Sequence, residues 1–202
     1  MLPILASVVV ISLSGAIAPG PMLAVTLSKG YRSPWAGLQV ALGHAAIEVP
    51  LILLIAFGFA SFLELPVVQV ALSFVGGGML IWLGVNMFRS RSDPAHGRDL
   101  PYNAFVSGIL ASGLNPFFIV WWATVGGMLI ARILPFGAWG LASFTLAHWC
   151  CDALWYSLVS VFIFRSHSFW GQQFQQVFFI VCALFLGGFG IYFIVSGAGM
   201  IV

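Results

Sequence analysis

Charged side chains are scarce in this chain: they form 6% of its 202 residues, whereas 61% of the residues are hydrophobic. The mean hydropathy is accordingly high, at +1.09. A soluble protein of this length needs far more charge to cover its surface. The shortage therefore excludes a soluble globular domain. It indicates an integral membrane protein with several spans, whose partners include the lipid bilayer but no nucleic acid.

Sequence motifs for enzymatic chemistry are also absent. The sequence holds no G-x-S-x-G, no H-E-x-x-H and no P-loop, so we expect neither an enzyme nor a chain that hydrolyses ATP by itself. The cysteines, Cys150, Cys151 and Cys182, lie in apolar segments without a C-x-x-C spacing. They are interpreted as buried thiols rather than as a disulfide framework, and no cofactor is expected.

Several apolar windows are long enough to cross a bilayer, which needs about 20 residues in a helix. They run over Leu2–Ser28, Trp35–Leu63, Pro66–Phe88, Asn103–Ala131, Leu134–Phe164 and Phe169–Ile201. These six windows predict an all-α integral membrane protein with six transmembrane helices. We divide it into a first half (residues 1–88), a cytoplasmic linker (89–102) and a second half (103–202).

The basic residues are distributed unevenly among the predicted loops. Among the loops between the predicted windows, the second and fourth contain one basic residue, Arg132. The basic residues of the first, third and fifth loops are Lys29, Arg32, Arg89, Arg91, Arg98 and Arg165. Basic loops usually stay on the cytoplasmic side of the membrane. The odd loops are therefore predicted to be cytoplasmic, and both termini are predicted to lie outside.

Two helix breaks occupy corresponding places in the two halves. Pro19, Gly20 and Pro21 interrupt the first window, and Asn115 and Pro116 interrupt the fourth. Gly or Asn followed by proline is typical of an N-cap and the first helical position. A half-helix that starts there presents free N–H groups and a positive dipole end, which suits a carboxylate. These residues are therefore candidate substrate-binding residues, with a simple proline kink as the alternative.

Each half also contains a histidine followed four residues later by an acid: His44 with Glu48, and His148 with Asp152. Residues at this spacing share a helix face, and ionisable groups at membrane depth are costly and usually functional. Three interpretations are open. The pairs exchange protons or hold a substrate ammonium group; the four side chains bind a divalent metal such as Zn, Mn or Ni; or they form structural hydrogen bonds between helices.

The same order of features recurs in the two halves. A break is followed by a His/acid pair and then by Gly77-Gly78 in the first half and Gly187-Gly188 in the second. Three helices per half place the second copy upside down in the membrane. We therefore predict a 3+3 inverted repeat with a central site and with Pro-broken first and fourth helices, a recurrent design of secondary transporters.

The regions around the breaks resemble a known family, the LysE/RhtB amino-acid exporters. The run Ser14–Pro21, followed by Gly30-Tyr31, Gly37 and Ala41-Leu42-Gly43, is similar to the start of that family, and Ser107-Gly108 with Leu114-Asn115-Pro116 is similar to its second signature. The resemblance covers essentially the whole chain. Phe117 differs from the lysine that many members have there, and the His/acid pairs are not a general family feature.

The resemblance implies a secondary transporter that exports amino acids or related small metabolites across the bacterial inner membrane without a cofactor. Proton coupling through His44, Glu48, His148 and Asp152 is our first expectation. Divalent-metal export through the same side chains is the alternative, and a membrane-embedded accessory subunit is a third. A homodimer, which many small carriers form, is left open.

Overall fold

The structure, a computed structural model, describes residues 1–17, 20–59, 65–89, 91, 102–166, 169 and 171–200, except for the side chains of Pro116, Phe117 and Gln175. In these residues the regular secondary structure is helical throughout. The predicted all-α class is therefore confirmed for the part of the chain that is described.

The described helices follow one another as α1 (Leu2–Ile17), α2 (Pro21–Gly30), α3 (Ala36–Ala56), α4 (Pro66–Arg89), α5 (Ala104–Gly113), α6 (Pro116–Trp121), α7 (Gly127–Ile133), α8 (Gly137–Ser166) and α9 (Gln172–Gly199). A π-helical turn, Trp122–Gly126, joins α6 to α7, and a 3-10 turn, Leu134–Phe136, joins α7 to α8. Gly137 follows the 3-10 turn with φ = 66°, a left-handed conformation that glycine adopts without steric cost. The chain from α6 to α8 is thus one helical path with two local distortions.

The helix breaks lie where the sequence predicts them. α1 and α2 meet at 67°, and Gly20 forms the extended N-cap of α2, which begins at Pro21. α5 ends shortly before Asn115, and α6 begins at Pro116. Pro19 lies outside the described residues. The predicted interruptions are therefore confirmed at Pro21 and at Pro116.

Four helical stretches of the described chain are long and apolar enough to cross a membrane, or five spans if α1 and α2 form one bent span. These stretches are α3, α4, α9 and the path from Phe118 to Ser166. α5 has ten residues and is too short to cross a bilayer alone. The protein is therefore a multi-pass helical membrane protein, whereas six spans in a 3+3 repeat stay a prediction.

Glycines allow the helix with the first His/acid pair to approach its neighbour closely. A Cβ atom added to Gly43 of α3 would overlap the Phe105 carbonyl of α5, and one added to Gly108 of α5 would overlap the Val40 carbonyl of α3. Such close approach is typical of helix interfaces in membranes. α3 also packs against α8, and α8 packs against α1 and α2. These contacts bring the face of α3 that carries Glu48 towards α8.

Candidate functional site

A cavity of about 370 Å³ lies between α1, α2, α3, the path from α6 to α8, and α9. Parts of both helix breaks and both His/acid pairs contribute to its wall. The predicted site residues that line it are Gly20, Pro21, His44, Glu48, Asn115, His148 and Asp152. Two segments that are far apart in the sequence therefore meet around one space inside the helix bundle.

Glu48 is the centre of the ionisable cluster. Its Oε1 atom lies 2.8 Å from His44 Nε2 and 2.9 Å from His148 Nε2. The Oδ2 atom of Asp152 lies 3.7 Å and 3.6 Å from the same two nitrogens, beyond normal hydrogen-bond distance. All four side chains are buried. Both histidines thus make their short contact with Glu48, His44 on the same helix and His148 from α8.

A serine from the opposite half holds each imidazole on its other side. His148 Nδ1 lies 2.6 Å from Ser12 Oγ, and His44 Nδ1 lies 2.7 Å from Ser112 Oγ. The Ser12 hydroxyl donates to the Val8 carbonyl at 2.6 Å, and the Ser112 hydroxyl lies 2.8 Å from the carbonyl one turn before it. Because a hydroxyl has a single hydrogen, a serine that donates to its carbonyl accepts a hydrogen from Nδ1. Each Nε2 atom then faces Glu48.

With each serine hydroxyl donating to its carbonyl, this hydrogen-bond pattern implies a number of protons for the cluster. A neutral imidazole with its hydrogen on Nδ1 has a lone pair on Nε2, which would repel the lone pairs of Glu48 Oε1. A short contact between these two atoms is therefore attractive only if a further hydrogen lies between them. Two such contacts need two hydrogens, which makes both imidazoles cationic when both carboxylates are ionised. The complete cluster is then electrically neutral, and loss of either hydrogen breaks one of the two bonds to Glu48.

Two carboxylate oxygens in the cluster are unpaired. Within the part of the chain that is described, Glu48 Oε2 and Asp152 Oδ2 have no hydrogen-bond partner. Leaving a buried acceptor unsatisfied costs free energy, so such atoms normally bind a ligand or water. Because both residues line the cavity, these oxygens are acceptors for a cationic group that enters it.

The N-terminal end of α2 opens on the same cavity. Gly20, Pro21, Met22 and Leu23 contribute to its wall. The Ala24 N–H group bonds to the Gly20 carbonyl at 3.0 Å, so the N–H groups before it have no acceptor within the helix. The free N–H groups and the helix dipole together favour a carboxylate at this end.

The second break contributes less of the described wall. Asn115 is buried and lines the cavity, and its carbonyl accepts the Ile119 N–H at 3.3 Å. Phe118 also lines the cavity. The side chains of Pro116 and Phe117 lie outside the described structure, so the effect of having Phe117 in place of lysine is not seen directly.

Aromatic rings enclose the imidazoles. The His148 ring lies against Trp121 with 5.7 Å between ring centroids, and the edge of Trp122 meets it at 5.1 Å. The His44 ring meets Phe118 at 5.2 Å. Trp122 also begins the π-helical turn, a distortion that is frequent at functional sites. The rings cover part of the imidazole surface with apolar groups, and electrostatic interactions are stronger in such surroundings than in water.

Sequence reasoning missed several residues of this site. Ser12 and Ser112 hold the imidazoles, and Tyr156 and Phe193 line the cavity. The available signal for the serines was a hydroxyl inside an apolar window, because such groups often bond to neighbouring helices. The aromatic residues gave no such signal, since rings also pack in any apolar core.

The cluster also offers ligand atoms for a metal ion. One atom each from His44, Glu48 and Asp152 lies within 4.8 Å of the others, and His148 Nε2 adjoins Glu48. Imidazole and carboxylate ligands suit Zn, Mn or Ni. A divalent ion carries the same charge as the two protons discussed above. The arrangement therefore suits either protons or a metal, and the unpaired oxygens argue against a purely structural role.

Comparison with known proteins places this geometry in context. A family profile described as LysE type translocator matches residues 13–197. A relative in Bacillus subtilis (strain 168), named "Putative amino acid efflux protein YcgF", is 28% identical over 132 residues, which are 62% of this chain and 63% of the relative. The match thus spans less than two thirds of the relative's length. No solved structure matches the chain.

Proposed function

The chain belongs to the family of LysE type translocators, and from that premise we propose that it exports an amino acid by coupling its movement to protons. Family membership makes it a transporter, and its apolar helices make it a membrane protein. The name of the Bacillus subtilis relative, an amino acid efflux protein, supports amino acids as the substrate class.

One observation carries the proposal: opposite binding partners for a zwitterion border a single cavity. The N-terminal end of α2, at Gly20 and Pro21, suits the substrate carboxylate. The unpaired oxygens of Glu48 and Asp152 suit its ammonium group, which has three donors. A free amino acid presents both groups on one carbon atom, so it can satisfy both ends of the site at once.

The proton-coupled step follows from the bonds to Glu48. When both imidazoles donate to Glu48 Oε1, the cluster is neutral and complete. An ammonium group that binds to Glu48 and Asp152 repels the protonated imidazoles and competes with them for the same carboxylates, which favours release of a proton from the cluster. Substrate and protons therefore compete for the same carboxylates, which is the requirement for exchanging one for the other across the membrane.

The test of this proposal is efflux from proteoliposomes that contain the purified full-length chain. Vesicles loaded with radiolabelled amino acids should lose label faster than protein-free vesicles, and an imposed proton gradient should change the rate. If none of the standard amino acids leaves faster than from protein-free vesicles, the proposal is wrong.

Divalent-metal export is the second candidate function, favoured by the ligand atoms of His44, Glu48 and Asp152 within 4.8 Å of one another. The same vesicles, filled with a metal-sensitive dye, distinguish the candidates when Mn²⁺, Zn²⁺ or Ni²⁺ is added outside. Protein-dependent metal entry with no movement of amino acids would favour this candidate over the first.

The 3+3 inverted repeat is part of the proposal, with halves at residues 1–88 and 103–202 and a linker at 89–102. Three reciprocal features support it. Each histidine bonds to a serine of the other half, and α3 and α8 face each other. A Cβ atom on Gly77 of α4 or on Gly190 of α9 would crowd the carbonyl of the other glycine. The halves are not equivalent, since Glu48 makes both imidazole bonds and Asp152 makes neither.

The orientation follows from the basic residues of the odd loops, such as Arg32 and Arg165. It places both termini outside a bacterial inner membrane. Reaction of single cysteines near either terminus with a membrane-impermeant thiol reagent tests this orientation in intact cells. Cross-linking in the membrane tests the homodimer.

A further inference from the structure

The side chain of the exported amino acid can be inferred from the rest of the cavity wall. We propose that the preferred substrates carry an uncharged, apolar side chain, either branched aliphatic or aromatic. This proposal rests on the proposed function.

The charged side chains of the described cavity wall all have partners in the proposed site. Every charged residue among the described lining residues belongs to the cluster of His44, Glu48, His148 and Asp152. Within that cluster the Glu48 carboxylate pairs with both imidazoles, and the unpaired oxygens of Glu48 and Asp152 are taken by the substrate ammonium group. A lysine, arginine, aspartate or glutamate substrate would therefore bring a second charge into a buried site without a counter-charge, which is costly.

An aromatic wall remains on the side of α9. Phe118, Trp121 and Trp122 pack against the imidazoles, whereas Phe189 and Phe193, one turn apart on α9, contact each other with 6.3 Å between ring centroids. Both α9 rings line the cavity. An apolar side chain that packs against them leaves water and gains dispersion contacts, whereas a hydroxyl or amide group would lose its hydrogen bonds there.

Outside the cluster, the polar groups of the described wall are few: the side chains of Ser12, Asn115 and Tyr156 and the indole N–H groups of Trp121 and Trp122. The Ser12 hydroxyl is shared between the Val8 carbonyl and His148. Asn115 is also engaged in contacts of its own. The wall is therefore poorly equipped to bind a second polar group, so serine, threonine or glutamine substrates should be weaker than leucine or phenylalanine.

The size of the cavity is consistent with one amino acid. Its volume of about 370 Å³ lies at the small end of the range of about 300–1,000 Å³ typical of small-molecule sites. At Gly15, which also lines the cavity, an added Cβ atom would meet nothing within 4 Å, so the wall is not tightly closed around a small ligand. The cavity therefore has room for an amino acid with a bulky apolar side chain.

Counterflow into proteoliposomes tests the inference with named probes. Vesicles loaded with unlabelled leucine receive labelled leucine, phenylalanine, threonine, lysine or glutamate at equal concentration. We expect leucine and phenylalanine to enter at least about tenfold faster than lysine and glutamate, given the cost of an uncompensated charge. Equal or faster entry of lysine or glutamate would overturn this inference and leave the proposed function standing. No entry of any amino acid, with no efflux of any from loaded vesicles, would refute both.

A variant of the aromatic wall tests the location. Phe193→Ala enlarges the cavity on the α9 side, and Tyr192→Ala is its matched control because Tyr192 is adjacent, aromatic and 62% exposed. We expect Phe193→Ala to raise the rate of tryptophan relative to valine by about tenfold, the usual scale of size discrimination in an apolar pocket. The ratio is independent of how much protein folds. An unchanged ratio in Phe193→Ala, or an equal change in Tyr192→Ala, would refute the assignment of this wall.

Discussion

Replacing Glu48 by glutamine tests the role of the cluster most sharply, because one atom of this side chain accepts from both histidines. Glu48→Gln keeps the size of the side chain but removes its charge. Glutamine can still accept one of the bonds, at 2.8 Å to His44 or 2.9 Å to His148, but it cannot hold two cationic rings. The variant should therefore lose the two-proton form of the cluster and the acceptor of the substrate ammonium group.

The size of the effect follows from the lost contacts. A hydrogen bond to a charged group contributes about 1.5–3 kcal/mol, and about 1.4 kcal/mol corresponds to a tenfold change in affinity. Loss of one such bond to the ammonium group should weaken substrate binding about ten- to 150-fold.

Efflux of labelled leucine from proteoliposomes, with and without an imposed proton gradient, measures this effect. Wild-type efflux should respond to the gradient, and the slower efflux of Glu48→Gln should not. Glu64→Gln, in the predicted second loop, is the matched control and should behave like the wild type. Glu48→Gln that keeps both the wild-type rate and the wild-type response to the gradient would refute the coupling role of the cluster.

Two further substitutions test the packing around the cluster. Ser12→Ala removes the acceptor of an imidazole Nδ1–H and should lower the free energy of unfolding in detergent by about 1–2 kcal/mol. Ser7→Ala, on the exposed side of the same helix, is the control and should have little effect. Equal losses in the two variants would contradict the hydrogen bond between Ser12 and His148. Gly43→Leu should prevent α3 from packing against α5 and so disrupt the fold. Gly78→Leu is the control and should leave the fold intact, because an added Cβ atom at Gly78 meets nothing within 4 Å. Size-exclusion chromatography measures the result, and a monodisperse Gly43→Leu protein would contradict the close approach of α3 and α5.

Local features of this fold could be predicted from the sequence because they depend on a few neighbouring residues. Glycine before proline fixes an N-cap and a helix start, so the break at Gly20 and Pro21 is visible without knowing its surroundings. The spacing of His44 and Glu48 likewise places both side chains on one face of α3. Apolar length predicts membrane helices, although it does not settle how many of them cross the membrane.

The convergence of the two histidines on one oxygen of Glu48 could not be predicted in the same way. It depends on how α3 is rotated and how near it comes to α5 and α8, and contacts such as that between Gly43 and the Phe105 carbonyl set that approach. Glu48 bonds to both imidazoles and Asp152 to neither, although both acids have the same spacing from their histidines. This difference therefore also depends on tertiary structure. Sequence spacing therefore identifies the candidates, and helix packing decides which acid is central.

The central claim is that the cavity binds a zwitterion through both of its charged groups. Inhibition of leucine counterflow by leucine, by isopentylamine and by 4-methylpentanoate measures it most directly, because the last two compounds keep the apolar chain and lose the carboxylate or the ammonium group. Leucine should inhibit at least about tenfold more strongly than either analogue, because each analogue loses one charge-assisted contact. Equal inhibition by either analogue would contradict the two-ended site.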